Sequence, residues 1–205
     1  MSINYPLSLP TNTRIRSVEL TAINAVAYSK SPFTFAGQAH AYSGQTWQAD
    51  VTLPAMKRAD AEQWIAFLVS LRGQFGTFLL GDPSASSPRG ISGSFLGTPV
   101  ITNQTGGTIS VTGASSSKSN WLLAGDYIQI GTANDATLHK VLQNASTDAS
   151  GAVTLEVWPH VRGTRSGSIA VSNTVGNFRL SSNQQSWSVN EASIYGITFA
   201  AMEAL

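Results

Sequence analysis

Gln45-Thr46-Trp47-Gln48-Ala49-Asp50-Val51-Thr52-Leu53-Pro54 is the stretch on which the fold class turns. Trp47, Ala49, Val51 and Leu53 alternate with Gln48, Asp50 and Thr52. Strict period two over that length specifies a half-buried antiparallel strand. Pro54 ends it, because proline cannot donate to a strand ladder. The period then changes. Across residues 58–72, Ala61, Trp64, Ile65, Leu68 and Val69 fall at i, i+3, i+4, i+7 and i+8, the single apolar stripe of a helix. Asp60 and Glu62 lie in its first turn, where negative charge suits the helix dipole. Gly73 lies just past its end, where a left-handed cap is needed. This is the one convincing helix, and its apolar stripe has to be buried on a sheet.

Upstream, residues 14–20 alternate with Ile15, Val18 and Leu20 inward, and a second strand-like run covers 22–28. Pro32 and Gly37 mark a bend around Phe33 and Phe35. Downstream, residues 76–81 read as a short buried strand between glycines. The Pro/Ser/Gly-rich stretch Asp82-Pro-Ser-Ala-Ser-Ser-Pro-Arg-Gly90 reads as a loop or a domain crossing.

The next 85 or so residues form a second unit. Strands are expected at 108–112, 127–130, 137–143 and 152–158, the last stopped by Pro159. About five short strands in this length suit a small barrel of the OB type, and a small sandwich nearly as well. From about Asn173 the pattern returns to strands at 178–181, 185–190 and 194–202. In the last of these, Tyr195, Ile197, Phe199 and Ala201 share one face. Residues 1–88 lack an obvious closing pair of their own, and the C-terminal segment supplies it. The expected division is therefore one β-domain, 1–88 plus 174–205, interrupted by an inserted one, 89–173.

Composition limits function. The chain has 205 residues with 42% hydrophobic content, enough for a globular core. Charged residues are only 11%, against about 25% in ordinary domains. Charge is depleted in the cores of subunit interfaces. A surface rich in Ser and Thr would give the same figure. A net charge of +1, spread evenly over both parts, leaves no electrostatic footprint for nucleic acid or anionic lipid. Cysteine is absent, which removes disulfides, thiolate nucleophiles and Cys-ligated zinc. The first ten residues show no basic or apolar signal region, and no apolar run approaches a membrane span. The sequons at Asn103 and Asn144 are read as chance.

No nucleotide-binding, metalloprotease or nucleophile-elbow motif is present. His40, His139 and His160 stand far apart, as surface or packing residues. The carboxylates Asp50, Asp82, Asp126, Asp135, Asp148 and Glu156 are scattered, mostly at turns or on polar strand faces. No catalytic, cofactor-binding or metal-binding residue is assigned.

The order of features resembles the distal tail proteins of long-tailed, non-contractile bacteriophages (siphophages), of the type with an inserted OB-like domain. Three stretches carry the resemblance. They are Arg58-Ala-Asp-Ala-Glu-Gln-Trp-Ile-Ala-Phe-Leu68 with Gly76-Thr-Phe-Leu-Leu-Gly-Asp-Pro83; Leu123-Ala-Gly-Asp-Tyr-Ile-Gln-Ile130 with Leu138-His-Lys-Val141 and Val153-Thr-Leu-Glu-Val-Trp-Pro159; and Tyr195-Gly-Ile-Thr-Phe-Ala-Ala-Met-Glu-Ala-Leu205. The resemblance implies a structural virion protein of the tail tip, or baseplate, and not an enzyme. It implies a ring-forming β-sandwich domain with one packed helix, and a homohexameric ring. That ring joins the tail tube protein to the tail hub protein, with tape measure and receptor-binding proteins as further neighbours. It implies a place in the virion, with assembly in the host cytoplasm, and no cofactor, membrane or sequence-specific nucleic acid. The strands at 47–53 and 194–202 are candidates for edge pairing between subunits; the alternative is that both lie inside the sheet.

Two other functions fit the residues. A carbohydrate-binding module or adhesin requires Trp121, Tyr127 and Trp158 to form an exposed platform, Trp121 being the tryptophan expected at the surface after a Ser-rich loop. A tail-associated glycoside hydrolase requires two carboxylates facing each other across an open cleft, about 5–10 Å apart.

Overall fold

A computed structural model describes residues 3–90 and 96–205. Residues 1–2 and 91–95, which fall within the expected segments 1–88 and 89–173, lie outside the described residues. The chain is mainly β with packed sheets. In order, its elements are β1 (Ser17–Lys30), β2 (Gly37–Thr52), β3 (Met56–Lys57), α1 (Arg58–Ser70), β4 (Thr77–Leu80), β5 (Gly97–Ala114), β6 (Tyr127–Ile130), β7 (Thr137–Val141), β8 (Val153–Ala170), β9 (Gly176–Leu180), β10 (Trp187–Val189) and β11 (Ile194–Glu203).

The first sheet runs β1-β2-β11-β9-β4, with β10 and β3 joined to the start of β11. Val51, Ala49 and Trp47 of β2 face inward with Ile197, Phe199 and Ala201 of β11, all buried. Those are the alternating positions that period two selects. α1 covers this face with Ala61, Trp64, Ile65, Phe67 and Leu68. Val69 departs from the expected stripe and is 58% exposed. At about 100° per residue it points roughly 110° from the stripe's centre, whereas Leu71 falls within the stripe and is buried. The helix ends through Arg72 and Gly73, both left-handed at φ +52° and +66°. A side chain at Gly73 would also meet the Asn183 backbone, 2.9 Å away.

The second sheet is drawn wholly from residues 97–170 and has four strands, not about five short ones. β5 and β8 are each 18 residues long and pair along their length with register shifts. The β6–β7 hairpin bridges β8: β7 pairs near Trp158, while β6 pairs near Ala170. Pro159 does not stop β8. Between the pairs Thr108↔Glu156 and Gly106↔Val161, β8 carries extra residues that bulge away from β5. Proline is tolerated there because a bulge leaves its position without a ladder bond to make.

The hairpin is a wall shared by two cores. Tyr127 and Leu138 join the core under the first sheet, while Ile128, Ile130 and Val141 join the second. This explains why all four residues of β6 are buried, where alternation alone would bury half of them. Trp47 stacks edge-on against Trp158 with ring centroids 4.5 Å apart, and its Nε1 donates to the Leu138 carbonyl at 2.9 Å.

Candidate assembly surface

β1 and β2 form a hairpin whose outer half leaves the body of the chain. Ser17 to Asn24 pairs with Gln45 to Thr52, and Val26 to Lys30 pairs with Gly37 to Ala41. Between these ladders Ala25 opposes three residues of β2, a bulge that increases the local twist. Every residue from Asn24 to Lys30 and from Gly37 to Gly44 is exposed. No third strand flanks this outer ribbon among the described residues.

Register assigns the ribbon's faces. Val26↔Ala41, Tyr28↔Ala39 and Lys30↔Gly37 share one face, with the Tyr28 side chain lying across Gly37. Ala27, Ser29, Gln38 and His40 lie on the other. The apolar face continues the inward positions Val18, Leu20 and Ala22 of β1. The second sheet reaches over that stripe only as far as Asn24 and Gln45. There Trp158 Nε1 donates to Asn24 Oδ1 at 2.7 Å, and the His160 amide donates to Gln45 Oε1 at 2.7 Å. Beyond them the core-facing stripe runs on exposed, with no other element above it among the described residues.

The tip is ordered by its own bonds. The Ser31 amide donates to the Ala36 carbonyl, and the Phe35 amide returns to the Ser31 carbonyl at 3.0 Å. Ser31 Oγ accepts from the amides of Phe33 and Thr34. Lys30 Nζ sits 4.9 Å from the centre of the Phe35 ring. Phe33 is 91% exposed and Phe35 69%.

A buried ion pair fixes the body from which this arm projects. Arg162 of β8 makes a two-pronged contact with Glu203 of β11, Nη1 to Oε1 and Nη2 to Oε2, both 2.9 Å. Glu203 Oε2 also accepts from the Trp47 amide and from the Thr46 hydroxyl, each at 3.3 Å. Arg162 further donates to the Gln45 carbonyl. One guanidinium thus ties the second sheet to two strands of the first, at the root of the arm.

His139 lies in the same seam, 1% exposed. Its Nδ1 donates to the Pro159 carbonyl at 2.6 Å, which leaves Nε2 to accept from the Thr137 hydroxyl at 2.9 Å. Burial, which penalises the cation, lowers this imidazole from 6.5 to about 4. Between those values the unfolded chain binds a proton that the folded chain does not. Stability is therefore full above pH 6.5 and falls as pH drops through the window, by about 2 kcal/mol at pH 5. Thermal melts at pH 7 and pH 5 check this: His139→Gln should flatten the decline, and an unchanged slope would contradict it.

Trp47 and Trp64 are buried, as their positions required. Trp121 is not at the surface: it is fully buried, and its Nε1 donates to the Leu96 carbonyl at 3.1 Å. Tyr127 is 6% exposed and only Trp158 is half-buried, so these three do not form an exposed platform. The strands at 47–53 and 194–202 are interior to the first sheet, not edges, since β2 lies between β1 and β11, and β11 between β2 and β9. The edges are β1 and β4. Residue Leu7 covers β4, exchanging two backbone bonds of 2.9 Å with Thr77 and Leu79. The outer edge of β1 has no strand beside it among the described residues. His40 is on the arm, where its ring meets Tyr42 edge-on at 4.7 Å, and it is far from His139 in the seam. Among the described residues, no three His, Asp or Glu side chains come together as a metal-sized cluster, and no helix is long and apolar enough to cross a membrane.

No protein-family model matches the chain, and no curated protein matches it.

Proposed function

We propose that this chain is the subunit of a hexameric ring at the distal end of a siphophage tail tube, joining the tube to the hub and receptor-binding apparatus. The arm carries the reading. An isolated two-stranded ribbon is marginal in water, and an apolar sheet face needs a cover. Both needs are met when a second copy packs on the arm. From Leu20 to Ala49 the only formal charge is Lys30, so desolvating this surface costs little. Among the described residues the β1 edge is uncovered and the β4 edge is covered, so the two flanks of the sheet differ in chemistry, which suits the head-to-tail contacts of a closed ring.

In this reading residues 1–88 with 174–205 form the ring-forming β-sandwich domain, and 89–173 form the inserted OB-like barrel. The segregation of the two sheets, one from residues 17–80 and 176–203 and one from 97–170, supports that division. The Arg162–Glu203 pair ties the insert to the ring-forming domain in this reading. Light scattering on the purified chain, alone and with tail tube protein, tests the proposal. The expected mass is about 130 kDa, six times the 21.6 kDa chain. A mass that stays at one chain under both conditions contradicts it.

A further inference from the structure

The chain carries both halves of a knob-and-hole contact that it cannot make with itself. The hole is an open cleft of about 690 Å³ between the root of the arm and the second sheet. Ile23, Ala25 and Gly44 line it from the arm, and Thr105, Gly106 and Val161 from β5 and β8. These are small or aliphatic groups. The one cation at its rim, Arg162, is neutralised by Glu203. The volume lies in the range of about 300–1,000 Å³ that receives apolar groups of several rings.

The knob is the arm tip, Phe33 and Phe35. Five strand steps from Ala25 to Lys30 already span about 17 Å, and the tip lies beyond them. A paired ribbon closed by the Ser31 turn bonds does not double back over that length. The tip and the cleft therefore meet only between molecules.

The area is more than half of what each partner gives to a standard contact. Val26, Tyr28, Phe33 and Phe35 are 53%, 65%, 91% and 69% exposed. Aromatic side chains bury about 150–250 Å² each, so the three exposed rings with Val26 offer roughly 500 Å². That compares with the ~800 Å² that each partner contributes to a standard interface. It also stands in the upper half of the roughly 300–600 Å² of the largest apolar patch on an ordinary monomer.

We infer that the arm tip of one copy docks in the arm-root cleft of the next. Surface and cleft are different patches of the same chain, so the contact is heterologous and propagates around a ring. The inference rests on the ring reading and adds the identity of the contact.

Disulfide trapping tests it without ambiguity, because the chain has no cysteine of its own. Phe33→Cys with Thr105→Cys in one chain, mildly oxidised, should give a reducible ladder ending at six subunits. Each single variant alone should give at least tenfold less linked product, and an equimolar mixture of the two should give dimers only. Phe35→Cys with Ala25→Cys supplies an independent pair at other exposed positions. If rings form by light scattering but neither pair links, the docking is overturned and the ring reading survives. A chain that remains monomeric at every concentration and with tube protein overturns both. Efficient linking of Phe33→Cys to itself overturns the docking in favour of tip-to-tip contact. Partition of a monomeric chain onto phosphatidylcholine vesicles, with the tip cysteine shielded, overturns it in favour of a lipid surface.

Discussion

Arg162→Ala lowers stability by about 3 kcal/mol, the lower end of what removing one partner of a buried ion pair costs. The lower end applies because the arginine side chain is 35% exposed, while the carboxylate it serves is 2% exposed. Without the guanidinium, Glu203 keeps only two bonds of 3.3 Å, from the Trp47 amide and the Thr46 hydroxyl. The Gln45 carbonyl loses its donor as well. For a chain of this size the loss corresponds to a drop in Tm of about 6–12 °C. The cost is mostly that of stranding a charge, so neutralising it should repair much of the damage. Arg162→Ala with Glu203→Gln should therefore be more stable than Arg162→Ala alone. Thermal or denaturant unfolding of both variants reads this. A single variant within about 1 kcal/mol of the parent, or a double variant worse than the single, would contradict the account of the seam.

The arm behaves in the opposite way. Tyr28→Ala with Phe33→Ala should leave the Tm of the isolated chain almost unchanged, since both side chains are already in water, at 65% and 91% exposure. Assembly should suffer instead. A buried aromatic anchor contributes about 2 kcal/mol or more on truncation, so two of them weaken association by roughly a thousandfold. Sedimentation or light scattering across a concentration series shows the shift from rings to single chains. Unchanged assembly with both rings removed would refute the arm as the contact.

The two variants separate what the sequence displays from what only the fold assembles. Period two marked Trp47, Ala49, Val51 and Leu53 as inward, and all are buried; it also set Tyr195, Ile197, Phe199 and Ala201 on one face, of which the last three are buried and Tyr195 partly so. The 3.6-residue stripe located α1 to within two residues at its end, and Gly73 marked where it stops. In each case the signal is local and the side chains are large. The arm's second strand was not legible, because Gly37 to Ala41 offers glycine and alanine where β-branched residues would announce a strand. Only its turn, at Pro32 and Gly37, was visible.

Trp121 misled for a related reason. A Ser-rich loop precedes it, but it packs in the second core and its Nε1 donates to the carbonyl of Leu96, 25 residues away. The Arg162–Glu203 pair spans 41 residues and has no local pattern. β6 and β7 are buried on both faces because they divide two cores, and no alternation records that. Pro159 looked like a terminator because the bulge that accommodates it is a property of β5 pairing, not of β8 alone. The candidate surface was thus half visible. Phe33 and Phe35 were noted at a bend, but their exposure and the apolar stripe leading to them come from register.

Class averages of negatively stained particles, taken from the heaviest peak of the purified chain with tail tube protein, read directly whether the chain closes into a ring. Closed rings with six-fold symmetry and six outward lobes from the second sheets are expected. Averages showing single globular particles, or open chains without closure, would contradict the ring.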